Sequence, residues 1–362
     1  MIYINGRFLT QKLTGVQRFA FEMVKGLFAA NSGEFMILMP PGKINEAYTD
    51  VDKWPIKVIG KLTNTFWEQI DLPTHLKKIG KPLLLNLVNT APCFYKNQIA
   101  SIMDMTTFVD PTWFSAKFSF YYKFIVPLFA KNAAHILTIS ESSKSDILKY
   151  LNIPEQKVTV IYCAVAEKFL EPKRDTVLDQ KLLSKLGLKP KSYLLGVSSL
   201  DPRKNFKGLI NAFLEMKLEI PLVIVGSKGK VFADEDLKNT LIENQSIIFT
   251  GYVEDSELIA LYRYAKCFVY PSLYEGFGMP PLEAMASDCP TIVSNTSSMP
   301  EVCGDASLYV DPLDILSIME KIDLLINDNM LREKLIILGR ERCRRFSWKE
   351  SALKLREVID TH

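Results

Sequence analysis

Residues 271–286 read PSLYEGFGMPPLEAMA. An apolar run ends at Tyr270, a loop with Gly276 and Gly278 follows, and a helix is expected to open at Pro281. Proline suits the first helical position because its missing N–H would be unpaired there anyway. A glycine loop feeding a helix start presents N–H groups and the positive end of the helix dipole, which suits a phosphate. Glu275 in the loop and Glu283 in the expected first turn would repel a phosphate unless they face elsewhere. Carboxylates accept hydrogen bonds from sugar hydroxyls without a metal. The competing reading makes Glu283 a dipole partner and Glu275 a solvated acid.

A second candidate is 197–206, VSSLDPRKNF, again between an apolar run and a helical pattern. Arg203 and Lys204 stand at the end of that run. A guanidinium fork beside an ammonium suits a diphosphate, and a basic surface turn is the plain alternative. Two weaker signals lie earlier. Gly15 in LTGVQRF opens the first helical pattern, well short of a GxGxxG fingerprint. Asp104 in IMDMT ends an apolar run, where an aspartate caps a helix as readily as it does chemistry.

Short apolar runs alternate with helical patterns along the chain, the signature of parallel α/β sheets. Strands are expected at 1–4, 35–39, 83–88, 99–103, 136–139 and 158–162. A second set is expected at 193–198, 222–225, 247–250, 268–270, 291–293 and 308–310. Helices are expected between them, with Ser140 capping one over 142–151 and a last one over 348–359. The polar stretch 166–191 is the linker candidate. At 362 residues the chain exceeds what a single core usually serves, so two doubly wound domains with a cleft between them are expected.

Composition narrows the classes. Apolar residues make up 48% and charged residues 23%, which excludes disordered and disulfide-scaffold chains. No run approaches a membrane span, and the start MIYINGRFLTQK has no leader pattern, so a cytoplasmic location is expected. Six cysteines without CxxC spacing read as buried thiols rather than a zinc site. Three histidines disfavour chemistry built on several imidazoles. Residues 1–165 hold 18 Lys and Arg against 12 Asp and Glu, so that half is basic. Within it, 112–131, TWFSAKFSFYYKFIVPLFAK, interleaves aromatics with lysines. It reads either as a segment for an anionic lipid surface or as a helix whose aromatic face packs inward.

These segments together resemble the retaining glycosyltransferases of family 4. The resemblance rests on EGFGMPPLE, SNTSSMPEVCGDASLYVDP, DPRKN, FTGYVEDSELIALYRYAKCFVYPS, ILTISESSKSDILKYL, KVTVIYCAV, TGVQRF and FWEQIDLP. It implies a GT-B fold of two Rossmann-like doubly wound parallel-sheet domains facing a central cleft. Residues 1–170 would be an acceptor-binding domain, with the helix of about 347–362 packing back onto it. Residues 171–346 would bind a nucleotide sugar. By the same resemblance, Arg203 and Lys204 would hold the donor diphosphate, Glu283 the ribose, and Glu275 the transferred sugar. Backbone N–H groups of Phe277, Gly278 and Met279 would line the sugar and phosphate. Gly15 would let its loop approach the phosphate, and Val253 would sit near the base. The family's usual His-Asp is Met103-Asp104 here, which removes one sugar contact and leaves Asp104 as a catalytic candidate. The usual Asn-Gly-Val is Cys163-Ala164-Val165, which changes a local turn.

Expulsion of a nucleoside diphosphate needs a metal or fixed cations. The two Asp-x-Asp triplets, Asp50-Val51-Asp52 and Asp234-Glu235-Asp236, sit in polar stretches and read as solvated. Metal-independent transfer without a cofactor is therefore expected. The acceptor would be a glycan or a polyprenyl-diphosphate-linked oligosaccharide in O-antigen, lipopolysaccharide or capsule assembly, with mannose or rhamnose as donor sugars and glucose or N-acetylglucosamine as the alternatives. An anionic membrane surface, at the inner face of the plasma membrane, is a further candidate partner, and nucleic acid is not. Four rival readings stand beside this one. They are a non-catalytic nucleotide-sugar-binding module, a nucleotide-sugar epimerase of the same fold, a phosphorylase, which commonly carries a pyridoxal cofactor on a much longer chain, and a glycosidase using Glu275 and Glu283. Eight residues of continuous helix would put those two carboxyls about 12 Å apart, against about 5–5.5 Å in retaining glycosidases.

Overall fold

The computed structural model describes residues 1–170, 175–199, 201–226, 244 and 246–362. Asp234-Glu235-Asp236 lies outside them. The chain divides into two units, one of residues Met1–Cys163 with Ser347–His362, the other of Ala164–Phe346.

The first unit holds a seven-stranded sheet in the order β3-β2-β1-β4-β5-β6-β7, all parallel. The strands are β1 (Ile2–Asn5), β2 (Phe35–Met39), β3 (Ile56–Val58), β4 (Leu84–Asn86), β5 (Gln98–Ser101), β6 (His135–Thr138) and β7 (Val158–Val160). β4, β5 and β6 are buried at every position, the burial expected of parallel strands covered by helices on both faces. β3 was not expected from the sequence. It is three residues long, pairs only at the sheet edge and leaves Val58 exposed, so no apolar run marks it.

The helix Trp348–Asp360 belongs to this unit and packs along Gly15–Asn31. A Cβ on Gly26 would sit 2.4 Å from the Ala352 Cβ, so only glycine allows this approach. Phe19 meets Trp348 edge-on, and Arg356 pairs with Glu34 at 2.6 Å. Asp50 and Asp52 are both exposed beside a short 3-10 turn, as the solvated reading of that triplet requires.

The second unit holds a six-stranded parallel sheet in the order β10-β9-β8-β11-β12-β13. Its strands are β8 (Leu194–Val197), β9 (Leu222–Val225), β10 (Ile247–Gly251), β11 (Cys267–Tyr270), β12 (Thr291–Ser294) and β13 (Ser307–Val310). Leu194, Phe206, Leu209, Phe213, Ile224, Ile292, Ile318 and Leu335 form its core. Of the expected linker, Glu167–Leu170 and Thr176–Lys185 are helical. All six cysteines are free and buried.

Each sheet reverses its strand order once, between β1 and β4 in the first unit and between β8 and β11 in the second. In open parallel sheets this switch point leaves a crevice beyond the carboxyl ends of the two strands, and ligands bind there.

Candidate functional site

β8 and β11 are neighbours, so the segments that follow them share one end of the sheet. After β8, Asp201 caps a 3-10 turn over Pro202–Lys204 by accepting from the Arg203 N–H. Asn205 then takes a left-handed conformation, which a short polar side chain tolerates, and opens the helix Phe206–Met216. After β11, the loop runs through Ser272 and Glu275 to the helix Met279–Ala286. The Arg203 carbonyl accepts from the Leu273 N–H at 2.7 Å and from Ser272 Oγ at 3.1 Å, tying the two loops together.

Lys204 and Glu275 are 71 positions apart and both buried, with Nζ 2.5 Å from Oε1. The same Oε1 accepts from the Tyr270 hydroxyl at 2.7 Å and from Ser272 Oγ at 2.6 Å. Lys204 also donates to the Tyr270 hydroxyl at 2.8 Å. Arg203 Nη1 stands 3.8 Å from Glu275 Oε2. Burial alone would raise the Glu275 carboxyl, but Lys204, Arg203 and these hydrogen bonds outweigh it and hold it below the usual carboxylate range. Burial lowers the Lys204 ammonium, with Glu275 opposing the shift. The Tyr270 hydroxyl is pushed far up by burial and by the neighbouring carboxylate. The result is an ionised carboxylate held between two cations, so this pair is no basic surface turn.

The loop backbone is held from the turn after β12. Glu275 N–H donates to Ser297 Oγ at 2.9 Å, and Ser298 Oγ donates to the carbonyls of Glu275 and Phe277 at 3.0 and 2.7 Å. Gly278 caps the helix at φ 109°, a conformation side chains rarely adopt. A Cβ there would come 2.2 Å from Met299 Cε. The helix opens at Met279, two residues before the expected Pro281, and Glu283 therefore falls in the second turn. Pro280 and Pro281 offer no N–H, and no side chain caps this end among the described residues. An anion at this end would meet the positive helix dipole. Glu283 is half-buried and accepts from the Tyr262 hydroxyl at 3.5 Å.

The remaining sequence candidates lie elsewhere. Val253 is half-buried in the turn between the edge strand β10 and the helix Asp255–Tyr264. Gly15 and Asp104 belong to the first unit. Gly15 opens the helix Gly15–Asn31, and a Cβ there would meet nothing within 4 Å. Asp104 is half-buried past β5, and its Oδ1 accepts from the Thr106 N–H at 3.0 Å and from the Thr106 hydroxyl, a local turn bond, while Met105 rather than Asp104 is the cap residue of the short helix Thr106–Val109. Sequence reasoning missed Tyr270 and Ser272. The signal available was a tyrosine closing an apolar strand, since a buried hydroxyl there needs a polar partner.

Comparison with known proteins places this site in context. Residues 179–342 match the family "Glycosyl transferases group 1". The chain is 29% identical over 369 residues to "O-antigen chain mannosyltransferase B" of Escherichia coli, covering 93% of each. Among solved structures it is similar to Anabaena HepE in complex with UDP and glucose, at TM-score 0.76 and 15% identity, covering 100% of this chain and 99% of that one. It is also similar to WaaG, a glycosyltransferase involved in lipopolysaccharide biosynthesis, at TM-score 0.73 and 14% identity, covering 99% of each.

Proposed function

Residues 179–342 form a group 1 glycosyl transferase domain within a GT-B fold, and on that premise we propose the reaction of the whole chain. It moves a hexosyl residue, mannose being the sugar favoured by the O-antigen relative, from a nucleotide-diphosphate donor to a glycan or lipid-linked acceptor in surface-polysaccharide assembly. The observation that carries this reading is the buried Lys204–Glu275 pair, with Arg203 beside it, at the switch point between β8 and β11.

The chemistry follows from charge. As the bond from the sugar C1 to the diphosphate oxygen breaks, negative charge grows on the leaving phosphates. Lys204, Arg203 and the start of the helix Met279–Ala286 offset it, and fixed donors aimed at developing charge are strongly effective in a dry site. Glu275 restrains Lys204 before the donor arrives and accepts from hydroxyls of the transferred sugar. Glu283 holds the ribose, Val253 lies against the base, and N–H groups of Phe277, Gly278 and Met279 line the sugar and phosphate. The acceptor oxygen bonds to C1 on the face the diphosphate leaves, its proton passes to a departing phosphate oxygen, and configuration is retained. No metal takes part. Thermal shift with GDP, UDP, TDP and ADP tests this. One nucleotide at 100 times its dissociation constant stabilises by about 2.7 kcal/mol, equally with and without EDTA. No shift with any of them overturns the reading, and a shift abolished by EDTA overturns its metal-free part.

The acceptor side of the proposal includes a peripheral position on an anionic bilayer. No helix among the described residues is long and apolar enough to cross a membrane. The helix Ala116–Asn132 buries Ile125, Val126 and Phe129 and leaves Phe120 and Phe124 75% and 61% exposed. Lys117, Lys123 and Lys131 are exposed on the same helix, which contains no acid. The aromatic residues thus divide between packing inward and facing out. Aromatic side chains flanked by lysines suit a negative lipid surface, each lysine contributing about 1 kcal/mol. The protein is expected to float with vesicles containing phosphatidylglycerol and not with pure phosphatidylcholine. The double variant Phe120→Ser/Phe124→Ser should lose that association. A wild type that stays in the soluble fraction with both vesicle types overturns this part.

A further inference from the structure

A cavity of about 710 Å³ opens between the helices Thr176–Lys185 and Asp255–Tyr264 of the second unit. Protein interiors leave few voids larger than a water molecule, and about 300–1,000 Å³ is the size of a pocket for a small organic molecule. Leu178 and Leu182 line it from the first helix, Ile259 and Ala260 from the second. Ile259 and Ala260 are buried, whereas Leu178 is 61% exposed. A leucine left in water beside an apolar cavity gains by packing against whatever fills that cavity. None of the lining residues belongs to the Lys204–Glu275 site.

Eight charged residues line the cavity, four of each sign. The acids are committed locally. Asp175 caps the first helix by accepting from the Leu178 N–H at 3.0 Å. Asp179 Oδ2 pairs with Arg263 Nη1 at 3.0 Å and ties the two helices together. Glu254 and Glu257 form a capping box at the start of the second helix, where Glu257 Oε2 accepts from the Glu254 N–H at 3.0 Å. The cations are less fully used. Lys168 pairs with Asp255. Lys181 and Lys185, one turn apart and both exposed, have no acidic partner among the described residues. Arg263 Nη2 is buried without a hydrogen bond, and an unpaired buried donor is costly. The groups left over around the cavity are therefore donors, and all of them are positive.

We propose that this cavity binds one single-chain amphipathic anion, an alkyl or acyl chain ending in a phosphate or a carboxylate. The chain lies against Leu178, Leu182, Ile259 and Ala260. The head meets Lys181 and Lys185, whose aliphatic stems extend the apolar wall, and Arg263 offers a further cation with a donor to spare. A cationic head would face unpaired lysines and no uncommitted acid. A two-chain phospholipid exceeds a pocket of this size, so the ligand is a free anion in solution and not a bilayer lipid.

The test follows the methyl signals of Leu178, Leu182 and Ile259 in methyl-labelled full-length protein. Dodecyl phosphate, dodecanoate, dodecyltrimethylammonium and inorganic phosphate are titrated in turn, the amphiphiles below their micelle concentrations. One or both amphipathic anions should shift these methyls saturably. Inorganic phosphate should leave them unmoved, and the cationic amphiphile should bind far more weakly. The variant Lys181→Glu/Lys185→Glu, altered only at exposed positions, should bind the anion about tenfold more weakly. Leu182→Trp, which fills the cavity, should abolish the Ile259 shift. Should that variant fold poorly, the lysine variant decides. The proposal is overturned by methyls that respond to neither anion, by methyls that respond to inorganic phosphate, or by equal binding of the cation. Shifts spread over apolar residues of both units, or a lysine variant that binds as tightly as wild type, overturn it as well.

Discussion

Replacing Lys204 with methionine is expected to lower the turnover of sugar transfer by about 10²–10³-fold, the loss typical when one fixed donor to developing negative charge is removed. The cation lies beside Glu275 in a buried site, so water cannot substitute for it easily. The same change should destabilise the second unit. Removing one partner of a buried ion pair leaves an uncompensated charge and typically costs about 3–5 kcal/mol. Here the loss should fall near the lower end, because Tyr270, Ser272 and Arg203 remain around the carboxylate. The double variant Lys204→Met/Glu275→Gln should regain most of the stability and none of the turnover. Melting curves and initial rates on the three proteins separate the two effects. A single variant that keeps full turnover would remove Lys204 from the mechanism.

The pH dependence carries the same signature. Glu275 is held below its ordinary value. Its contribution to stability is therefore present above the unfolded carboxylate pKa, about 4.3, and is lost as pH falls through the lower folded value. Lys204 is also held below its ordinary value. Transfer should accordingly fade on the alkaline side below about pH 10.4, where a free lysine would titrate.

The variant Arg7→Met should be the more destabilising of the two single changes. Among the described residues it strips the only cation from Glu68, whose side chain is fully buried and keeps the Asn5 and Thr90 donors. A loss of about 3–5 kcal/mol is expected. At about 2–4 °C per kcal/mol for a domain of this size, the melting temperature should fall by about 10 °C. Arg7→Met/Glu68→Gln should recover most of that, since both charges are then gone and a neutral amide still bonds to Asn5 and Thr90. A drop of under about 2 °C in the single variant would show that this pair contributes little to the fold.

Much of the architecture was legible in the residues. Apolar runs of three to six residues bounded by polar turns placed all but one of the strands among the described residues, because parallel strands buried on both faces must be apolar at nearly every position. β3 escaped because an edge strand that leaves Val58 exposed carries no such run. DPRKN and EGFG could be read as ligand-facing because each follows an apolar run, and position along the chain decides that much. The start of the helix after Gly278 was misplaced by two residues. Two consecutive prolines fit several first-turn positions equally well, and only the backbone at φ 109° marks the boundary.

Tertiary structure decided which of these residues meet. The strand order sets β8 against β11, and this brings Lys204 onto Glu275 across 71 positions and sets Tyr270 and Ser272 around the same carboxylate. The order of the first sheet likewise sets β1 against β4, so that Arg7 reaches Thr90 across 83 positions over the buried Glu68. Periodicity reports burial because burial is a property of each residue and its near neighbours. Strand order, and with it the company each charged side chain keeps, depends on contacts far apart in the chain, for which a single sequence has no local pattern.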